Sequence, residues 1–126
     1  MKIYFFYLIV SLLIPFILLV VGIYFKRNKP KNINGICGYR TSRSMKNIET
    51  WRFAHQYCGD IWVKLGLISL PVTLLIMLLV INKDLEFVSI VETIIVLLQI
   101  ILLFCSIVCT ERALKREFDK DGNRVK

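Results

Sequence analysis

The chain has 126 residues, 56% of them hydrophobic, and a formal net charge of +8. A soluble domain of this size interleaves apolar and polar residues. Here the apolar residues stand in blocks, with the lysines and arginines between them, which excludes that class and sets nucleic-acid binding aside: threading through a membrane already places the charge there.

The first block runs from Ile3 to Phe25 without a charged residue. About twenty apolar residues match the ~30 Å hydrocarbon core of a bilayer at ~1.5 Å rise per residue. No A-x-A-like cleavage site comes after it; the next residues are "KRNKPK", 26–31, a basic stop-transfer-like flank. The block reads as a retained membrane helix over about 3–25, with a cleaved signal peptide as the alternative.

Residues 26–62 form a basic loop. Lys26, Arg27, Lys29, Lys31, Arg40, Arg43, Lys46 and Arg52 stand against Glu49 and Asp60. Pro30, Gly35 and Gly38 punctuate its first part. Ser44 or Asn47 then suits a helix N-cap, and Glu49 falls in the first turn, where a negative charge suits the helix dipole. Trp51, Ala54, His55, Cys58, Ile61 and Trp62 recur at three- and four-residue spacing, while Arg52, Gln56 and Asp60 fall elsewhere. The pattern predicts an amphipathic helix of roughly four turns, lying in the headgroup interface with Trp51 and Trp62 as anchors and anionic lipid as a partner.

The second block, Leu65 to Asn82, is free of charge, and the helix is predicted over about 63–82. "NKDLEF" is a turn short enough to make its flanking helices antiparallel neighbours. The third block, Val88 to Thr110, holds one charge, Glu92. Glu92, Gln99 and Ser106 are spaced seven apart, nearly two helical turns, and form one polar stripe. Polar groups in hydrocarbon turn inward, so the stripe is expected to face the other helices, with Ser11 and Thr73 as partners. Pro15 and Pro71 free backbone carbonyls for the same purpose. Gln99, near the midplane, reads as interhelical glue, and Glu92 as a functional candidate close enough to the boundary to snorkel. A tail over 111–126 carries six basic and four acidic residues.

Lysine and arginine bias thus alternates poor, rich, poor, rich. That places the N-terminus and the 82–87 turn outside, and the 26–62 loop and the tail in the cytoplasm. The expected fold is a single all-α membrane domain with three transmembrane helices and a cytoplasmic interfacial amphipathic helix.

Catalysis is not expected. His55 and Glu92 belong to opposite membrane sides, beyond the ~3 Å of proton transfer, and no phosphate cradle or nucleophile elbow is present. Cys37, His55 and Cys58 share the loop, but there is no CxxC pair, so no metal or cofactor is expected. Cys105 and Cys109 read as small residues at a helix face.

Gly38, Tyr39, Arg40 and Thr41, then Ser44, Met45 and Asn47, then Trp51 and Ala54, resemble the signature of the SdpI family of bacterial integral membrane proteins. The resemblance is specific over about 38–54 and loose over the apolar helices. It implies a motif in a loop between membrane helices, no enzymatic activity, and a bacterial cell membrane location. The family's named member gives immunity to a secreted killing peptide and draws a transcriptional repressor to the membrane. The function this implies is immunity to, or sensing of, a membrane-active antimicrobial peptide, with a cytoplasmic regulator as partner. Alternatives are an accessory subunit of a larger membrane complex, or a small transporter built as a homo-oligomer.

Overall fold

A computed structural model describes residues 2–28 and 38–125. It contains three long helices: α1, Lys2–Asn28; α2, Ile48–Leu79; and α3, Leu85–Glu117. All three are long and apolar enough to cross a membrane. Tyr4 of α1 donates its hydroxyl hydrogen to the Met77 carbonyl of α2, so the start of α1 lies beside the end of α2. The helices therefore run up, down and up. The turn between α2 and α3 lies at one end of the bundle, and the segment 38–47 and the tail lie at the other.

One expectation is corrected. The amphipathic stretch is not a separate interfacial helix; it is the first half of α2, which runs unbroken for 32 residues. At ~1.5 Å per residue that is about 48 Å, well beyond the ~30 Å hydrocarbon core. Two contacts explain the continuity. A Cβ on Gly59 would stand 2.9 Å from the Gly22 carbonyl oxygen, and one on Gly66 would stand 2.8 Å from Leu19. Without side chains at these points, α1 lies against α2 along the amphipathic stretch at Gly59 as well as in the apolar stretch at Gly66. The apolar face of 51–62 is then covered by protein. Ala54 and Cys58 pack with Phe25 of α1, Tyr39, and Leu114 and Phe118 at the far end of α3. A second cluster, Tyr4, Met77, Val80, Val88 and Ile95, fills the turn end.

Local chemistry sets the helix limits. Asn47 caps α2: its Oδ1 accepts from Thr50 N at 2.9 Å, and Asn47 N donates to Thr50 Oγ1 at 3.1 Å. Asp84 caps α3 through Phe87 N at 2.9 Å. Beyond α3 the tail folds back in a tight turn on Asp119, whose Oδ1 accepts from Asp121 N and Asn123 N. Phe118 and Arg124 pair across it.

Candidate functional site

The motif residues form a folded cap on the bundle rather than an open loop. Gly38 begins it at φ +112°, a conformation that favours glycine. A Cβ there would lie 2.6 Å from His55 Nε2 and 3.1 Å from the Trp51 ring. The next backbone N–H, of Tyr39, donates to His55 Nε2 at 2.9 Å. The opposite ring nitrogen, Nδ1, lies 2.7 Å from the Trp51 carbonyl oxygen. A backbone N–H only donates and a carbonyl only accepts, so these two contacts define the neutral His55 tautomer with its proton on Nδ1. Trp51 and His55 are fully buried and their rings lie 4.4 Å apart. His55 thus acts as a post between α2 and the motif.

The hydroxyl groups close the turn. Ser44 Oγ accepts from Thr41 N at 2.9 Å and donates to the Tyr39 carbonyl at 2.9 Å. Thr41 Oγ1 accepts from Ser44 N at 3.1 Å, and Met45 N donates to the Thr41 carbonyl at 3.1 Å. Thr50 Oγ1 donates to the Ser44 carbonyl at 3.0 Å, coupling this turn to the α2 cap. Asn47 Nδ2 donates to the Gly122 carbonyl at 2.7 Å, and Arg124 stands 3.9 Å from Glu49, so the tail clamps the same helix start. Ala54 is fully buried; its size lets the cluster around Phe25 and Leu114 close over it.

Tyr39 reaches the third helix. Its hydroxyl donates to Glu111 Oε1 at 2.8 Å, and Arg43 Nε approaches Glu111 Oε2 at 3.9 Å. Burial first, and then the hydrogen bond and charge of Glu111, push the Tyr39 phenol well above its ordinary range. It therefore remains a donor at physiological pH. Arg40 differs from its neighbours: it is exposed and makes no ion pair among the described residues.

Within the membrane span, Glu92, Gln99 and Ser106 are buried on one face of α3. Gln99 Nε2 donates to the Ser11 carbonyl at 2.9 Å and to Thr73 Oγ1 at 3.1 Å, joining all three helices. The Ser11 carbonyl would ordinarily bond the N–H four residues on, but that residue is Pro15. Ser106 accepts the Trp62 indole N–H at 2.8 Å, which gives Trp62 an interhelical partner.

Of the three groups the sequence weighed as ligands, His55 and Cys58 lie among the described residues. Cys37 lies outside the described residues, as do Lys29, Pro30, Lys31 and Gly35. His55 has both nitrogens engaged, Cys58 is buried, and no group of three metal-ligating residues exists among the described residues. Sequence reading missed Thr50, Glu111 and Gly122. Thr50 was detectable, since Asn-x-x-Thr is a capping-box spacing. Glu111 and Gly122 carry no local signal, because their partners are more than 70 residues away.

Three apolar helices topped by a folded loop motif define a small multi-pass membrane protein. A family model described as the SdpI/YfhL protein family matches residues 31–110, and the chain belongs to that family. It is 35% identical over 60 residues to the uncharacterized protein YfhL of Bacillus subtilis (strain 168), an alignment covering 48% of this chain and 54% of that protein. The chain thus spans about half the length of the curated relative it matches. No solved structure matches it. Family membership points to a non-enzymatic membrane protein.

Proposed function

We propose that this protein gives immunity to, or senses, a membrane-active antimicrobial peptide, with residues 38–62 and the tail on the cytoplasmic side and the 80–84 turn outside. The observation that carries the reading is the bond from Tyr39 to Glu111. It ties the motif to α3, the helix that carries Glu92 and Gln99 in the membrane. A peptide meeting the outer half of the bundle would shift α3, and the Tyr39 clasp would pass that shift to the cap. The exposed guanidinium of Arg40, beside the partly exposed Arg43 and the exposed Lys46, then offers a basic surface to an acidic cytoplasmic regulator or to anionic lipid.

Survival tests this. The chain is expressed in a sensitive bacterium and challenged with an SdpI-type killing peptide, beside an empty vector and Arg40→Ala and Tyr39→Phe variants at matched expression. Protection by the wild type, weakened in both variants, is the expected result. Well-inserted wild-type protein that gives no protection would overturn the immunity reading.

A further inference from the structure

Among the described residues, one fully buried acceptor and one nearly buried carboxyl lack a hydrogen-bond donor. Tyr4, Trp62 and Gln99 direct their hydrogens to Met77 O, Ser106 Oγ, and the Ser11 carbonyl and Thr73. The Ser11 carbonyl can only accept, so the Gln99 amine must face it and Oε1 is the atom left over. Gln99 Oε1 is buried without a hydrogen-bond partner among the described residues. Glu92 is 8% exposed, and no ion pair or hydrogen bond reaches its carboxyl among the described residues. The two share one face of α3, about 10 Å apart along the axis at ~1.5 Å per residue. The lysines at that end of the bundle, Lys2 and Lys83, are exposed, as are Asp84 and Glu86, and Tyr7 is half-buried.

A carboxyl group in hydrocarbon holds a proton or meets a cation. Acyl chains offer neither a cation nor a hydrogen-bond donor. Next to these acceptors, a groove of about 200 Å³ runs between α2 and α3. Exposed Ile68, Val72, Leu98 and Leu102 form its walls, and buried Thr73 and Gln99 its floor. Glu92 lies one turn beyond Ile95, which also lines it.

We propose that Glu92 and Gln99 form the acceptor site for a cationic amphipath whose apolar part lies in the α2–α3 groove. The positive group, an ammonium or guanidinium, supplies the counter-charge to Glu92, and an N–H of the same molecule supplies the donor missing at Gln99 Oε1. This deepens the immunity reading by naming the chemistry of the attacking molecule, and it rests on that reading only for the ligand's biological source.

The test uses the purified full chain in lipid vesicles and dicyclohexylcarbodiimide, which adds its whole mass to a carboxyl in an apolar site. Mass spectrometry is expected to locate the intramembrane adduct on Glu92, with Glu92→Gln removing it. Dodecylammonium at ~10 times its dissociation constant is expected to slow the modification about tenfold, whereas dodecanol leaves it unchanged. Gln99→Leu is expected to keep the adduct and to weaken protection by an N-dodecanoyl diamine whose amide N–H stands about 10 Å from its ammonium, while protection by dodecylammonium, which has no second N–H, is unchanged. No adduct on Glu92, no protection by dodecylammonium, or equal protection by dodecanol would each overturn the proposal. Such a failure would leave the survival result standing. Loss of the survival result with Glu92 still protected would leave the site without its immunity role.

Discussion

Gln99 of α3 occupies the carbonyl that Pro15 leaves free on Ser11 of α1, at 2.9 Å. A proline on one helix has thereby created the acceptor that fixes another. Interhelical hydrogen bonds in membranes contribute about 0.6–2 kcal/mol. Gln99→Leu is therefore expected to cost about 1 kcal/mol in a reversible unfolding measurement in bicelles. Pro15→Ala returns a helical N–H to Ser11, so Gln99→Leu should cost less in that background. Equal cost in both backgrounds would mean the proline and the amide are not coupled.

Gly38→Ala places a methyl where His55 Nε2 stands 2.6 Å away, at a backbone angle that alanine resists. A loss of about 2–3 kcal/mol is expected, read as a lower melting temperature of the purified protein. Arg40→Ala, on the exposed side of the same motif, is expected to change stability by less than about 0.5 kcal/mol. A matching loss in both would show that Arg40 is part of the cap's framework rather than its outer surface.

The Tyr39 clasp predicts a response to alkaline pH. The folded state holds this phenol's pKa above the ordinary value of 10.0. The unfolded chain ionises first, so the stability from the clasp is fully present below pH ~10 and is lost as pH rises through the folded value. Wild-type protein should lose stability more steeply above pH ~10 than Tyr39→Phe, in which that ionisation is absent. Parallel curves for the two proteins would exclude a buried, donating phenol.

Thiol labelling checks the cap and the threading together. Cys58 is fully buried and is expected to react with a maleimide only after denaturation. It is therefore a poor reporter of membrane side. A cysteine placed at exposed Lys83 is the better one. In intact cells an impermeant maleimide should label Lys83→Cys and leave Ser42→Cys unlabelled until the membrane is opened. The reverse pattern would invert the proposed orientation.

The three spans were legible because an uncharged run of about twenty residues has few other uses. The inward stripe on α3 was legible too, since a spacing of seven keeps Glu92, Gln99 and Ser106 on one face, and the structure brings Gln99 to the Ser11 and Thr73 that the sequence singled out. The amphipathic stretch misled for a physical reason. An apolar face reads the same whether lipid or protein covers it, and here the close approach of α1 at Gly59, with Tyr39, Leu114 and Phe118 packed beside it, decides for protein. His55 looked like a candidate ligand because nothing local reveals that the Tyr39 backbone N–H occupies one nitrogen. The tail's charge count gave no sign that it folds back on the cap, where Arg124 lies 4.9 Å above the Phe118 ring and reaches Glu49.

The unbroken length of α2 makes the cap the far end of a stiff lever, to which α1 and α3 are joined through Phe25 and Glu111. With about 30 Å of the helix held by hydrocarbon, nearly 20 Å stands clear of it. A rocking of about 10° pivoted at the turn end would sweep the first turn of the helix through roughly 8 Å. Anything that changes how the span sits in the bilayer, including thinning of the membrane itself, would therefore arrive at Asn47 and its attached cap magnified rather than damped.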